Sequence, residues 1–362
     1  MLHATRAGRR CVGLGFGRCL SSTPTPSLFH GVWPIMATPF QPDESLDLAG
    51  FAKAIRFMGS AGADGVTVVG VLGESNRITD TERMRLISCA VEAAGSVGRP
   101  FPVCVGTSHS GTAATVALSQ MAQELGAAAV MVTPSKEASG NWDDALLTLY
   151  ARVAAGCPGL PIVLQDHPAS TGVLMPVPLL AKIVAEVPSV GCIKLESLPT
   201  PAKIAALRAS WAKAPPAQEC TILTGLGALY AGFDMEQGTQ GFMTGFAFPE
   251  VLKAMNDAAQ AGDLAAAHAL YQRFLPLMVF EQQPGVAVRK ELYRIRGLIE
   301  SNTVRHPANA IAPALATALQ AELARALPGV DLKQPLPAEL FAGRCLARSR
   351  EPGPRRRRPC GV

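Results

Sequence analysis

The chain has 362 residues, of which 48% are hydrophobic and 17% charged, with a mean hydropathy of +0.21. That composition excludes a disordered protein and allows one large core or two smaller ones; no apolar run approaches the roughly eighteen residues that a membrane span needs. The net charge of +5 sits at the ends, since residues 1–30 carry +4 and residues 344–362 carry +6, which leaves a body of −5 that is not built for nucleic acid.

Arg6, Arg9, Arg10 and Arg18 come first, among Ser and Thr, with no acid before Asp43. A basic, acid-free leader without a central apolar stretch is expected to be an organelle transit peptide over residues 1–28, the mitochondrion being the first choice. The alternative is a start codon placed too early on a cytoplasmic enzyme. Short β-branched runs follow and predict strands over 32–37, 65–69, 102–106, 128–133, 161–165, 190–194, 221–224 and 241–245. Their central residues, from Ile35 and Val66 to Phe242, lie 20–37 residues apart. Steps of that length hold a strand, a loop and a returning helix. Thr79-Asp80-Thr81-Glu82 reads as the start of one such helix, and Gly111 precedes another over 112–125.

Eight strand–helix units predict a (β/α)8 TIM barrel over 30–250. An open, doubly wound sheet is the competitor, but no GxGxxG follows the first strand. Helical patterns over 249–260, 263–275, 286–299 and 308–327 exceed what the eighth unit needs. They predict appended C-terminal helices, a subdomain over 251–327. A solvated Pro- and Arg-rich tail, with Arg355–358 in it, completes the chain over 328–362. The nine cysteines form no CxxC pair and read as small buried hydrophobes.

Barrel chemistry gathers at the C-terminal ends of the strands. Thr38, Glu74, Ser75, Thr107, His109, Lys136, Gln165 to His167, Lys194, Glu196, Gly225 and Thr244 fall there. Lys194 ends an apolar run that should be buried. Burial disfavours an ammonium and favours the neutral amine, the form that attacks a carbonyl. The competing expectation is a strand-end lysine paired with Glu196, two residues on and on the same face. Only His109 and His167 of the six histidines lie at strand ends, too few for a zinc site. Gly225-Leu226-Gly227 is too common a pattern to stand for a phosphate loop.

Gly31-Val32-Trp33-Pro34-Ile35-Met36-Ala37-Thr38-Pro39-Phe40, Gly70-Val71-Leu72-Gly73-Glu74-Ser75, Gly106-Thr107, Val132-Thr133-Pro134, Pro168 with Thr171-Gly172, and Gly191-Cys192-Ile193-Lys194 occur in that order. Together they resemble the dihydrodipicolinate synthase/N-acetylneuraminate lyase family of Schiff-base lyases, over about residues 30–300. The resemblance implies a barrel with extra C-terminal helices, assembled as a homotetramer and needing no metal or organic cofactor. It implies that Lys194 forms an imine with a small 2-oxo acid such as pyruvate. The carboxylate of that acid would meet Gly73, Glu74 and Ser75, chiefly through backbone N–H groups. Thr38, Gln165, Gly225 and Thr244 are the further expected substrate contacts. No nucleic acid or membrane partner is expected.

Several positions depart from the family pattern. Val71 and Leu72 stand where hydroxyl residues are usual, Gln165 where a catalytic Tyr is usual, Ser170 where synthases carry an Arg, and Ser135-Lys136 where a Tyr follows the fourth strand. Gln165 hydrogen-bonds but is neither acid nor base at neutral pH. Proton transfer is then expected from a water, from the substrate carboxylate, or from one of Glu196, His167, His109 and Glu74, with Glu196 and His167 as the candidate acid–base groups. This combination resembles the 2-keto-3-deoxy-sugar-acid dehydratases of the family. The expected reaction is dehydration or retro-aldol cleavage of a short 2-oxo acid. A synthase that condenses pyruvate with a semialdehyde and a non-catalytic metabolite-binding homologue are the alternatives.

Overall fold

A computed structural model describes residues 28–137, 141–283 and 285–341. The expected leader (but for its last residue) and the Arg355–358 run lie outside the described residues. In chain order the elements are β1 (Gly31–Val32), α1 (Leu48–Ser60), β2 (Val66–Val68), α2 (Asp80–Gly95), β3 (Val103–Gly106), α3 (Thr112–Glu124), β4 (Ala129–Val132), α4 (Trp142–Gly156), β5 (Ile162–Asp166), α5 (Pro168–Thr171), α6 (Val177–Glu186), β6 (Val190–Leu195), α7 (Thr200–Lys213), β7 (Thr221–Thr224), α8 (Ala231–Glu236), β8 (Gly241–Phe242), α9 (Pro249–Gln260), α10 (Leu264–Gln282), α11 (Val286–Ile295) and α12 (Pro313–Ala326).

Local sequence sets the helix starts. The Thr79 hydroxyl accepts from the Glu82 N–H while the Glu82 carboxylate accepts from the Thr79 N–H, the capping box anticipated for α2. Asp47 and Asp263 cap α1 and α10 without the return bond, their carboxylates accepting from the Gly50 and Ala266 N–H groups. Prolines open α9 and α12, where a missing N–H costs nothing. The helix anticipated from 308 accordingly starts only at Pro313, and the one anticipated over 263–275 runs on to Gln282.

All eight strands are parallel, in the order β1-β8-β7-β6-β5-β4-β3-β2. The first and last of that order also meet. Ile35, just past β1, pairs with Thr67 of β2; Met36 N–H donates to Thr67 O and Thr67 N–H to Pro34 O, each at 2.8 Å. A parallel sheet with helices outside, curled until its ends touch, is consistent with the expected (β/α)8 barrel. The strand anticipated over 32–37 is regular only to Val32, because Pro34 has no N–H to give the ladder. Trp33 and Ile35 still donate to Phe242 O and Thr244 O.

Alternate residues of each strand point inward. Trp33, Ile35, Cys104, Ala129, Met131, Val163, Cys192, Leu223 and Met243 form a closed cluster inside the sheet, and Leu72 packs on it. The larger cluster lies between sheet and helices. α9 packs on β1 and β8 as the eighth outer helix, so the boundary anticipated at 250 falls inside it; α10 lies on α9, α8 and α12. Cys89, Cys104, Cys157, Cys192 and Cys220 are free. Burial pushes the Cys192 thiol up to about 12, so it behaves as an apolar side chain.

Arg305 ties the segment before α12 to α2. Its guanidinium donates to both Glu82 oxygens, at 2.7 and 2.8 Å, and to Arg77 O. Those bonds outweigh burial and hold the Glu82 carboxyl down at about 2.

Candidate active site

Gln165 and Lys194 are direct partners across the β5–β6 ladder. Each lies two residues beyond an inward-pointing residue, Val163 and Cys192, so both side chains rise from the inner face at its C-terminal end. The ladder continues one bond further, from Glu196 N–H to Asp166 O. Asp166 points the other way and pairs with Lys203 of α7 at 2.5 Å. An outer apolar groove of about 350 Å³, lined by Leu174, Met175, Leu198 and Lys203 among others, lies on that side and includes none of the inward-facing residues.

The Lys194 Nζ is 3.2 Å from Glu196 Oε2, and both side chains are only 6% exposed. The expected pairing is thus present, inside a mouth nearly closed to water. Gln165 Nε2 donates to the same Oε2 at 2.7 Å, and Leu226 N–H donates to Oε1 at 3.0 Å. Burial pushes the Glu196 carboxyl up, but Lys194, His167 and these two donors outweigh it and hold the group below the ordinary carboxylate range. Gly225 makes this placement possible. A methyl group there would overlap the Glu196 side chain, so Gly225 serves the carboxylate by having no Cβ.

His167 precedes α5, half-buried, with its Nδ1 2.7 Å from Ser170 Oγ. Burial and Lys194 lower its pKa while Glu196 opposes them, so the imidazole is neutral at pH 7. Lys194, Glu196, Gln165 and His167 therefore share one electrostatic environment. His109 and Lys136 are exposed, and the His109 Nδ1 is occupied by Gly111 N–H. The Thr107 hydroxyl is bonded to Ser119, on the helix side of the sheet. Thr244 is buried at the end of β8, where its carbonyl accepts from Ile35.

The β2 loop differs from expectation. Val71–Gly73 is a tight 3-10 turn, and Glu74 adopts a left-handed φ of 54°. The N–H groups of Gly73, Glu74 and Ser75 are spent within the turn, on Gly70 O and Val71 O. They are therefore not the free carboxylate donors anticipated. Among the described residues the Val71 and Leu72 N–H groups make no hydrogen bond, and they are the free donors of this turn. Thr38 supports the turn by donating to Gly73 O at 2.7 Å. Glu74 is an anchor and not a substrate contact: its carboxylate, 1% exposed, is paired with Lys290 of α11 and Arg77 and also accepts from Arg305 N–H.

Sequence reading anticipated a helix over 286–299, which ends at Ile295 as α11, but not the buried charges of α10 and α11. Glu281 and Arg289, both 1% exposed, form a buried pair beside the end of β8, and Glu281 accepts twice from Ala247 N–H. Nothing at sequence level separates these from surface charges of an amphipathic helix. Among the described residues no three His, Cys, Asp or Glu groups converge to hold a metal ion, and no helix is long and apolar enough to cross a membrane.

Comparison with known proteins agrees with this geometry. Residues 28–326 match the dihydrodipicolinate synthetase family. The chain is 36% identical to L-2-keto-3-deoxyarabonate dehydratase of Azospirillum brasilense, over 80% of this chain and 91% of that one. It is 32% identical to 4-hydroxy-tetrahydrodipicolinate synthase 2 of Streptomyces coelicolor, over 84% and 98%. Dihydrodipicolinate synthase from Rhodopseudomonas palustris superposes with a TM-score of 0.77 at 30% identity, covering 84% of this chain and all of that one. A prophage protein of the same family from E. coli K12, solved in complex with pyruvate, gives 0.74 at 26%, covering 83% and 99%. A chain matched over this length, with a buried lysine on its sixth strand, belongs to the dihydrodipicolinate synthetase family and is a lyase.

Proposed function

We propose that the chain is a lysine Schiff-base lyase that dehydrates a short 2-keto-3-deoxy sugar acid. The observation that carries this reading is the Glu196 carboxylate, 3.2 Å from the Lys194 amine, with Gln165 in the place of a hydroxyl relay. Glu196 accepts a proton from Lys194, and the neutral amine attacks C2 of the 2-oxo acid. The attacking nitrogen passes one proton to the C2 oxygen and Glu196 returns the other, so the oxygen leaves as water and a protonated imine forms. The imine draws electrons from C3, whose proton Glu196 removes to give an enamine. The enamine pair expels the C4 hydroxyl, which leaves as water with the proton from Glu196. Hydrolysis of the imine then frees Lys194. The Val71 and Leu72 N–H groups are the donors available to the carboxylate at C1.

The same reading takes the protein as a homotetramer imported into a mitochondrion or another organelle. A synthase acting on pyruvate and a semialdehyde is the second reading, favoured by the Streptomyces relative. Gln165 and Ser170 disfavour it, because neither transfers a proton or grips a second carboxylate as Tyr and Arg would. Incubation with 2-keto-3-deoxy sugar acids, with 4-hydroxy-2-oxoglutarate, and with pyruvate plus aspartate semialdehyde separates the readings. Water loss from a sugar acid is the expected result. Turnover of the last mixture alone would establish the synthase, and an adduct without turnover of any would mean a binding homologue.

A further inference from the structure

Arg289 is the least explained charged group of the molecule. Its side chain is 1% exposed and its Nε is bonded to Glu281, yet its Nη1 makes no hydrogen bond among the described residues. A buried guanidinium N–H without an acceptor is expensive, and its place in the fold shows where an acceptor would come from. A methyl group at Gly245, the residue after Thr244, would overlap both Arg289 Nη1 and Leu72 Cδ1. Guanidinium and leucine therefore meet over the end of β8. Leu72 in turn packs on the cluster inside the sheet, beneath the level of Lys194 and Gln165. Gln282, at the end of α10, closes on Gly227 after β7. The appended helices thus cover the strand ends on the β7, β8 and β2 side of the mouth, and Arg289 is the cation with an unpartnered N–H that they bring there.

We propose that Arg289 is a specificity-determining residue whose Nη1 hydrogen-bonds the terminal hydroxyl of a substrate longer than pyruvate. Glu281 already balances the guanidinium charge, so the remaining N–H suits a neutral hydroxyl oxygen better than a second carboxylate. This inference rests on the Schiff-base reading above and adds to it the part of the substrate beyond C4.

The test reads borohydride trapping at Lys194 against concentration for three acids: pyruvate, 4-hydroxy-2-oxopentanoate, and 2-keto-3-deoxyarabonate, which differs from the second only by a C5 hydroxyl. The intact enzyme should half-saturate with the last at about ten-fold lower concentration than with the second. Arg289→Lys, which keeps a cation for Glu281 but loses the fork, should bring the two together and leave pyruvate trapping unchanged. Equal half-saturation of the two acids in the intact enzyme would overturn the proposal without any variant. So would a Lys variant in which trapping of all three weakens in parallel, the mark of a merely structural role. Absence of any adduct, even with pyruvate, would instead remove the Schiff-base reading on which the proposal stands.

Discussion

Glu196→Gln should lower turnover of a 2-keto-3-deoxy sugar acid about 10³-fold while pyruvate is still trapped at Lys194. Gln fits the same space and can still hydrogen-bond to Lys194 and Leu226, but it takes no proton from C3. The pH profile separates the two acid–base candidates. Lys194, His167, Gln165 and Leu226 together hold Glu196 below its ordinary value of 4.5, so activity that depends on its carboxylate persists to below pH 4.5 and falls as the group protonates. Burial places His167 below 6.5. A His167 base would instead set an acid limb below 6.5, one that His167→Asn abolishes. Full turnover by Glu196→Gln, or a limb that moves with His167 alone, would transfer the role to the imidazole.

The second large effect is on stability. Lys290→Met should lower the unfolding free energy by about 3–5 kcal/mol, because it leaves the buried Glu74 carboxylate without its main counter-charge. Lys290 is fully buried, donates to Thr303 O at 2.7 Å and lies 4.3 Å above the Phe40 ring. Burial pushes its amine down to about 8, with Glu74 pulling the other way. A base whose folded pKa lies below its unfolded one is under strain as a cation, and that strain is relieved as pH rises from about 8 toward the unfolded value of about 10.4. The pair's contribution is therefore read near pH 7, from the urea midpoint at constant slope. Lys290→Met combined with Glu74→Gln should recover most of the loss, since neither charge is then buried alone. A single replacement as stable as the parent would show that the turn at Val71–Glu74 is held by other means.

The strand–helix rhythm made the architecture legible, because apolar runs about thirty residues apart can return to one parallel sheet only through helices. Part of the inner face was legible too: two-residue periodicity correctly put Lys194 with Glu196, and Gln165 joins them from the neighbouring strand, whereas β5 ends at Asp166, one residue short of His167. The β2 loop was not. Whether N–H groups are free depends on the tightness of the turn and on the left-handed φ of Glu74, and no residue identity announces either. Gly225 was expected as a substrate contact; its contact in the structure is with Glu196 from the neighbouring strand, which no pattern of glycines announces. Glu281, Arg289 and Lys290 lie on helices read as an appendage, and the contacts that bury them span up to about two hundred residues of chain.

The most direct measurement is mass analysis of the protein after borohydride reduction in the presence of pyruvate. The account predicts one pyruvate-sized addition per chain, on the peptide containing Lys194, and none in Lys194→Ala. An adduct that survives Lys194→Ala, or folded protein that acquires none, would contradict it.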